Sequence, residues 1–227
     1  MEVVVDYKPV AHIRLKVLPS GLVRVSAPPD TPDEYLASLL EAKRPWIERK
    51  QRLFRETRAL EKEDTIRTGT ATRSLGRQLI IVVESGRRRH VERDDGRLVV
   101  TTVDFGNQPA IDRQFHRWWR KEARACFAET LERLYPVVGR RGIPMPGLRV
   151  VRMRTKWGSC SRDKASINLN ESLLKAPKDC IDYVVLHELL HFLHPRHDEA
   201  FRAALTVHMP DWQSRKLLLD HEIVRDL

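Results

Sequence analysis

The chain begins with alternating apolar and polar residues. Ile13, Leu15 and Val17 fall on one side of an extended run, and Leu22 and the valines beyond it fall on one side of a second. Pro19-Ser20-Gly21 lies between them, which predicts a β-hairpin. After Pro28-Pro29 the period changes. "TPDEYLASLLEAKRPWIERKQRLF" opens with Thr31 as expected N-cap, Pro32 at the first helical position and acids in the first turn. Pro45 is expected to break or kink that helix at Arg44. Strand-like runs return in "RQLIIVVES" and "RLVVTTV", with Asp95-Gly96 supplying a turn just before the second.

Asn107 and Pro109 open a long amphipathic stretch in which Ile111, Phe115, Trp118, Cys126, Leu131 and Leu134 recur at helical spacing. Trp118 and Trp119 sit on or beside that stripe and read as core. The loop "GRRGIPMPG" follows. "LRVVRMRTKWG" then alternates as a strand over 148–157, with Val151 and Met153 on one side and Arg152, Arg154 and Lys156 on the other. Gly158-Ser159-Cys160-Ser161 reads as a tight turn, and "ASINLNESLL" as a strand ending near a helical turn. A helix is expected from Asp179 to Leu193, introduced by Pro177. A short helix follows Pro195, and a last one starts near Pro210. The fold class is α+β. Residues 1–106 form a β-rich portion with an inserted helix, and 107–227 form a second portion built around the 179–193 helix.

Composition narrows the functional classes. The 227 residues are 41% hydrophobic, enough for a core without covalent staples. No apolar run approaches the roughly 18 residues of a membrane span. An acid at position 2 and a strand-like start do not read as a signal peptide. Cys126, Cys160 and Cys180 are widely spaced and contain no CxxC pair, which speaks against a disulfide framework or a cysteine-rich zinc site. A cytoplasmic, reduced protein is expected. The net charge of +10 points to anionic partners, nucleic acid first, and equally to an arginine-rich soluble surface. The bias is strongest from Gly139 to Lys164, where eight basic residues face Asp163 alone.

The 179–193 helix carries the chemistry. His187 and His191 are four apart, so their rings lie on one face a turn from each other. Val185, Leu186, Leu189 and Leu193 make the rest of the circumference apolar, as in a buried helix. Burying imidazoles without partners costs a few kcal/mol each, roughly; a bound cation uses the lone pairs left over. Glu188 completes the sequence HExxH. In the mechanism attached to that pattern, two histidines hold zinc and the glutamate takes a proton from the activated water.

A catalytic zinc takes three protein ligands and keeps one position open. His194 shares a face with His187 but lies about 10.5 Å further along the axis. His197 is off-face on a continuous helix, yet Pro195 prevents continuation and lets it fold back. His197 is the preferred third ligand, and His194 reads as an ordinary helix C-terminal histidine. Cys160 as a fourth ligand or a nucleophile is a minor alternative. Tyr183 and His208 are outside candidates for stabilising an oxyanion.

These segments together resemble the YgjP-like metallopeptidases, HExxH zincins related distantly to the SprT-like proteases. The resemblance rests on "KRPWIERK" (43–50), "FHRWWRKEARACF", "KWGSCS" (156–161), "INLN" (167–170), "LLKAP" (173–177), "YVVLHELLH" (183–191), "RHDEAF" (196–201) and "PDW" (210–212), in the family's order and spacing. It implies a zincin-like catalytic domain, Zn2+ held by His187, His191 and His197, Glu188 as general base, and a protein or peptide substrate. The chain departs from the family pattern at Arg196, Asp198 and Arg202, which bears on pocket shape and substrate. In zincins an edge strand beside the active-site helix pairs with extended substrate; the candidates are the 148–157 strand and the turn after it. Arg152, Arg154 and Lys156 would then lie near the cleft as a surface for DNA, by analogy with SprT-like proteases. The expected function is zinc-dependent endopeptidase hydrolysis. Two alternatives stand against it: a DNA-binding or scaffold protein whose zinc site is structural or vestigial, and a metal-dependent hydrolase of something other than peptide.

Overall fold

The computed structural model describes residues 2–10, 12–18, 21–61, 65–153 and 156–219. Contacts separate the chain into two units, one reaching residue 64 and the other starting at Thr65. In the first, β1 (Val3–Tyr7) runs parallel to β3 (Val23–Ala27), and β2 (Arg14–Val17) pairs antiparallel with β3 from the other side. The β2–β3 pair is the hairpin that the alternation predicts; its turn residues 19 and 20 lie outside the described residues. Helix α1 (Asp33–Ala42) follows, then α2 (Arg44–Glu61). Val25, Ala27 and Leu36 are buried together, as are Val17, Val23 and Ile47. The α1 N-cap is Pro32, not the expected Thr31: Pro32 is still extended (φ −63°, ψ 139°) and no side chain caps the helix. The chain breaks at Lys43, and Pro45 falls in the first turn of α2, where a missing N–H costs nothing.

The second unit carries two more mixed sheets. One has the order β4 (Ala71–Ser74), β5 (Arg77–Ser85), β7 (Arg97–Thr102), β6 (His90–Asp94). Asp95 (φ 28°) and Gly96 (φ 78°) both take positive φ in the turn between β6 and β7, the conformation for which an Asp-Gly pair suits a two-residue hairpin. Helix α3 (Gln108–Leu134) is capped by the Asn107 side chain, which accepts from the Ala110 N–H. Trp119 is buried, and Trp118 packs partly buried against the same core, with the Arg93 guanidinium over its ring. A four-residue helix, α4 (Pro136–Gly139), leads to the third sheet. There β8 (Gly147–Val151) runs parallel to β10 (Ser166–Asn170), and β9 (Gly158–Ser161) pairs antiparallel on the other side of β10. A 3-10 turn (Glu171–Lys175) then leads to α5 (Lys178–Leu190), α6 (Glu199–His208) and α7 (Trp212–Leu218). Among the described residues no helix is long and apolar enough to cross a membrane.

The four-stranded sheet belongs to the second unit. Leu79, Ile81, Val83, Leu98 and Val100 form one face of the four-stranded sheet, and that face shares a single core with Ile111, Phe115 and Trp119 of α3 and with Leu186 and Leu189 of α5. Two local expectations are corrected. The strand beginning at 147 stops at Val151, short of the expected 157; Arg154 lies outside the described residues. Beyond it, the Nδ2 of buried Asn170 donates to the carbonyls of Met153 and Lys156. The second correction is that Gly158–Ser161 is a strand, not a turn. The turn comes after it, at residues 162–165, where Ala165 takes φ 42°.

Candidate metal centre

Pro177 starts α5 in the extended N-cap conformation. Nearly the whole helix is then apolar and buried, including Ile181, Val184, Val185, Leu186, Leu189 and Leu190. A helix enclosed this way holds its side chains in fixed rotamers, so the His187 and His191 rings are aimed and not merely near each other. The helix ends at Leu190, earlier than the expected Leu193. Phe192 and Leu193 donate to carbonyls three residues back, and Pro195 prevents the helix from resuming. The chain turns back, and His197 arrives immediately before the Asp198 N-cap of α6. The Arg202 guanidinium donates to the His197 carbonyl at 3.0 Å and fixes the backbone there.

The structure brings His187, His191 and His197 together; His194 is outside the group. The three candidate ligand atoms lie within 4.8 Å of one another. The His187 Nε2 is 3.2 Å from that of His191 and 2.9 Å from that of His197. Phe201, 2% exposed, stands behind all three rings with centroid distances of 4.9 Å to each. His194 contributes differently: its carbonyl lies 3.1 Å from the His191 Nδ1. A carbonyl only accepts, so this contact places the proton on Nδ1 and leaves Nε2 as a bare lone pair facing the other two rings. Burial holds His187 neutral, pushed down to about 3 with the charges of His191 and His197 adding to the effect, and burial also lowers His191. The His187 Nδ1 is buried with no hydrogen-bond partner. Neutral imidazoles with lone pairs converging in a small space repel one another unless a cation lies between them. This donor set fits a divalent metal.

Glu188 lies beside the three histidines and outside the ligand group, 6% exposed. Burial pushes its carboxyl up to about 7, opposed by the Lys156 charge and by a hydrogen bond from the Cys160 backbone N–H. Cys160 is not among the grouped ligands; burial and the Glu188 charge push its thiol up to about 11, far from a thiolate nucleophile. Gly158, expected from the sequence to open a tight turn, is where β9 passes the Glu188 carboxylate. A Cβ there would come within 2.8 Å of the Glu188 Oε1 and 2.9 Å of its Cγ, so only glycine lets β9 approach this carboxylate.

A cleft of about 490 Å³ opens over these groups, with Trp157, Gly158, Ser159 and Cys160 of the β9 side along one wall. Tyr183 lines it too, edge-on to His187 and stacked on Trp212; His208 is not part of the lining. β9 is an edge strand of its sheet. The Asn170 N–H donates to the Trp157 carbonyl, so in this antiparallel register Trp157, Ser159 and Ser161 turn their backbone groups toward β10. Gly158 and Cys160 turn theirs the other way, toward α5 and the cleft. The edge strand beside the centre is therefore β9, not the 148–157 strand.

No curated protein matches the chain. The family model for the YgjP-like metallopeptidase domain matches residues 11–222, and the chain belongs to that family.

Proposed function

We propose that the protein is a zinc-dependent endopeptidase in which His187, His191 and His197 hold the metal and Glu188 is the general base. The observation that carries this reading is the convergence of three imidazole Nε2 atoms beside a buried carboxylate that is not one of them. Family membership supports a metal and a peptide substrate; the donor set supports zinc, for which three nitrogen ligands and an open corner are the catalytic pattern. When bound, zinc supplies Lewis acidity, making water a nucleophile at neutral pH and polarising the scissile carbonyl. Glu188 accepts the proton of that water and passes it to the leaving amine. A carboxyl pushed up to about 7 suits both halves of the transfer near neutrality. The β9 edge offers the Gly158 N–H and the Gly158 and Cys160 carbonyls to an extended substrate chain. Phe201 and the His194 carbonyl keep the ligand rings in place before anything binds.

Metal analysis tests the reading. Purified protein should carry one zinc per chain, chelation should abolish peptide hydrolysis, and added zinc should restore it. His197→Ala should bring the zinc content well below one per chain with the circular dichroism spectrum unchanged. A full complement of zinc in His197→Ala would remove that residue from the ligand set.

A further inference from the structure

Three cationic side chains line the cleft: Lys156, Arg162 and Lys216. Among the described lining residues Glu188 is the one carboxylate, and it is only 6% exposed. The exposed charge on the cleft walls is therefore positive. The cations come from separate places in the fold. Lys156 precedes β9, Arg162 opens the turn after it, and Lys216 sits on α7. They therefore reach the cleft from three separate segments of the chain. All three are exposed, and among the described residues neither Lys156 nor Arg162 is held in an ion pair.

We infer that the cleft selects peptides with acidic side chains, Asp or Glu, flanking the scissile bond. This rests on the peptidase reading and goes beyond it by naming the substrate class. An extended peptide laid along β9 sends alternate side chains toward opposite walls, and cations stand at both ends of that strand. Carboxylates arriving there meet fixed positive charge within the screening length of about 8–10 Å. A neutral peptide gains nothing from these groups, and a basic one is repelled.

The test uses the zinc-loaded full chain and three peptide pools, acetylated and amidated at their ends so that terminal charges play no part. The pools share a randomised centre and differ only in flanking Glu, Gln or Lys. The Glu pool should be cleaved with kcat/KM roughly tenfold above the Gln pool, carried mainly by KM, with the Lys pool slowest. The preference should shrink toward unity as salt rises from 0.05 to about 1 M. Arg162→Glu combined with Lys216→Glu should drop the Glu pool below the Gln pool. Arg162→Gln alone, at an exposed turn, should reduce the preference without disturbing the fold. Equal cleavage of all pools, or a preference untouched by salt and by these variants, overturns the inference and leaves the peptidase reading standing. No cleavage of any pool by zinc-loaded protein overturns the peptidase reading and this inference with it.

Discussion

Glu188→Gln should keep its zinc and lose turnover by about two to four orders of magnitude, the usual contribution of a positioned general base. The amide is nearly isosteric with the carboxylate and still accepts the Cys160 N–H through its oxygen, so the β9 wall stays in place. What it loses is the ability to take a proton. The same variant should be more stable than wild type when both are metal-free. The Glu188 carboxyl is pushed up to about 7 in the fold from 4.5. Above pH 7 the folded state therefore carries a buried charge that the unfolded chain keeps in water, a cost of ~3 kcal/mol. As pH falls from 7 the cost shrinks, and it is gone only below 4.5, where both states hold the proton. Urea midpoints of the metal-free proteins should separate at pH 8, with Glu188→Gln higher, and converge below about pH 4. Wild-type turnover in zinc-loaded Glu188→Gln would remove the general base from the mechanism.

Gly158→Ala should lower kcat by about a hundredfold with zinc content unchanged. The new methyl would lie 2.8 Å from Oε1, 2.9 Å from Cγ and 3.1 Å from Cδ of Glu188. Because it meets Cγ as well as the tip, and Glu188 is buried, rotating the carboxylate does not relieve the contact. Nor does β9 yield easily, with its register on β10 fixed over four residues. Either the carboxylate or the wall must move, and a displacement on the order of 1 Å is enough to spoil proton transfer. Gly147→Ala is the control. A Cβ there meets nothing closer than 3.9 Å, so its turnover should match wild type. Equal turnover in Gly158→Ala would show that the approach of β9 to Glu188 plays no part in catalysis.

The parts of this arrangement that could be read from the sequence are those set by local periodicity. His187, Glu188 and His191 stand on a helix whose apolar surround is visible in the chain, and the proline after it shows why His197 need not follow the helical path. The hairpins, the Asn107 cap and the buried stripe of α3 are equally local. Strand β9 was not legible, because Gly-Ser-Cys-Ser has no alternation and is extended only through pairing with β10. The end of β8 was hidden for a similar reason: "LRVVRMRTK" alternates past Val151, and the Met153 carbonyl is instead taken by Asn170, seventeen residues on. The division near residue 64 depends on which faces of the 71–102 strands meet α3, a long-range fact. Phe201 and Gly158 act through three-dimensional contact alone; the sequence showed Phe201 only within a family-like segment and Gly158 only there and as part of an expected turn.

The central claim is that three imidazoles, and no thiolate, surround one zinc that retains an open position. X-ray absorption at the zinc edge of the loaded protein measures this directly. The account predicts nitrogen and oxygen scatterers at about 2.0–2.1 Å, three of them imidazoles by their outer-shell pattern, and one non-protein ligand. A sulfur scatterer at about 2.3 Å, which would mean that Cys160 closes the site, or fewer than three imidazoles, would contradict it.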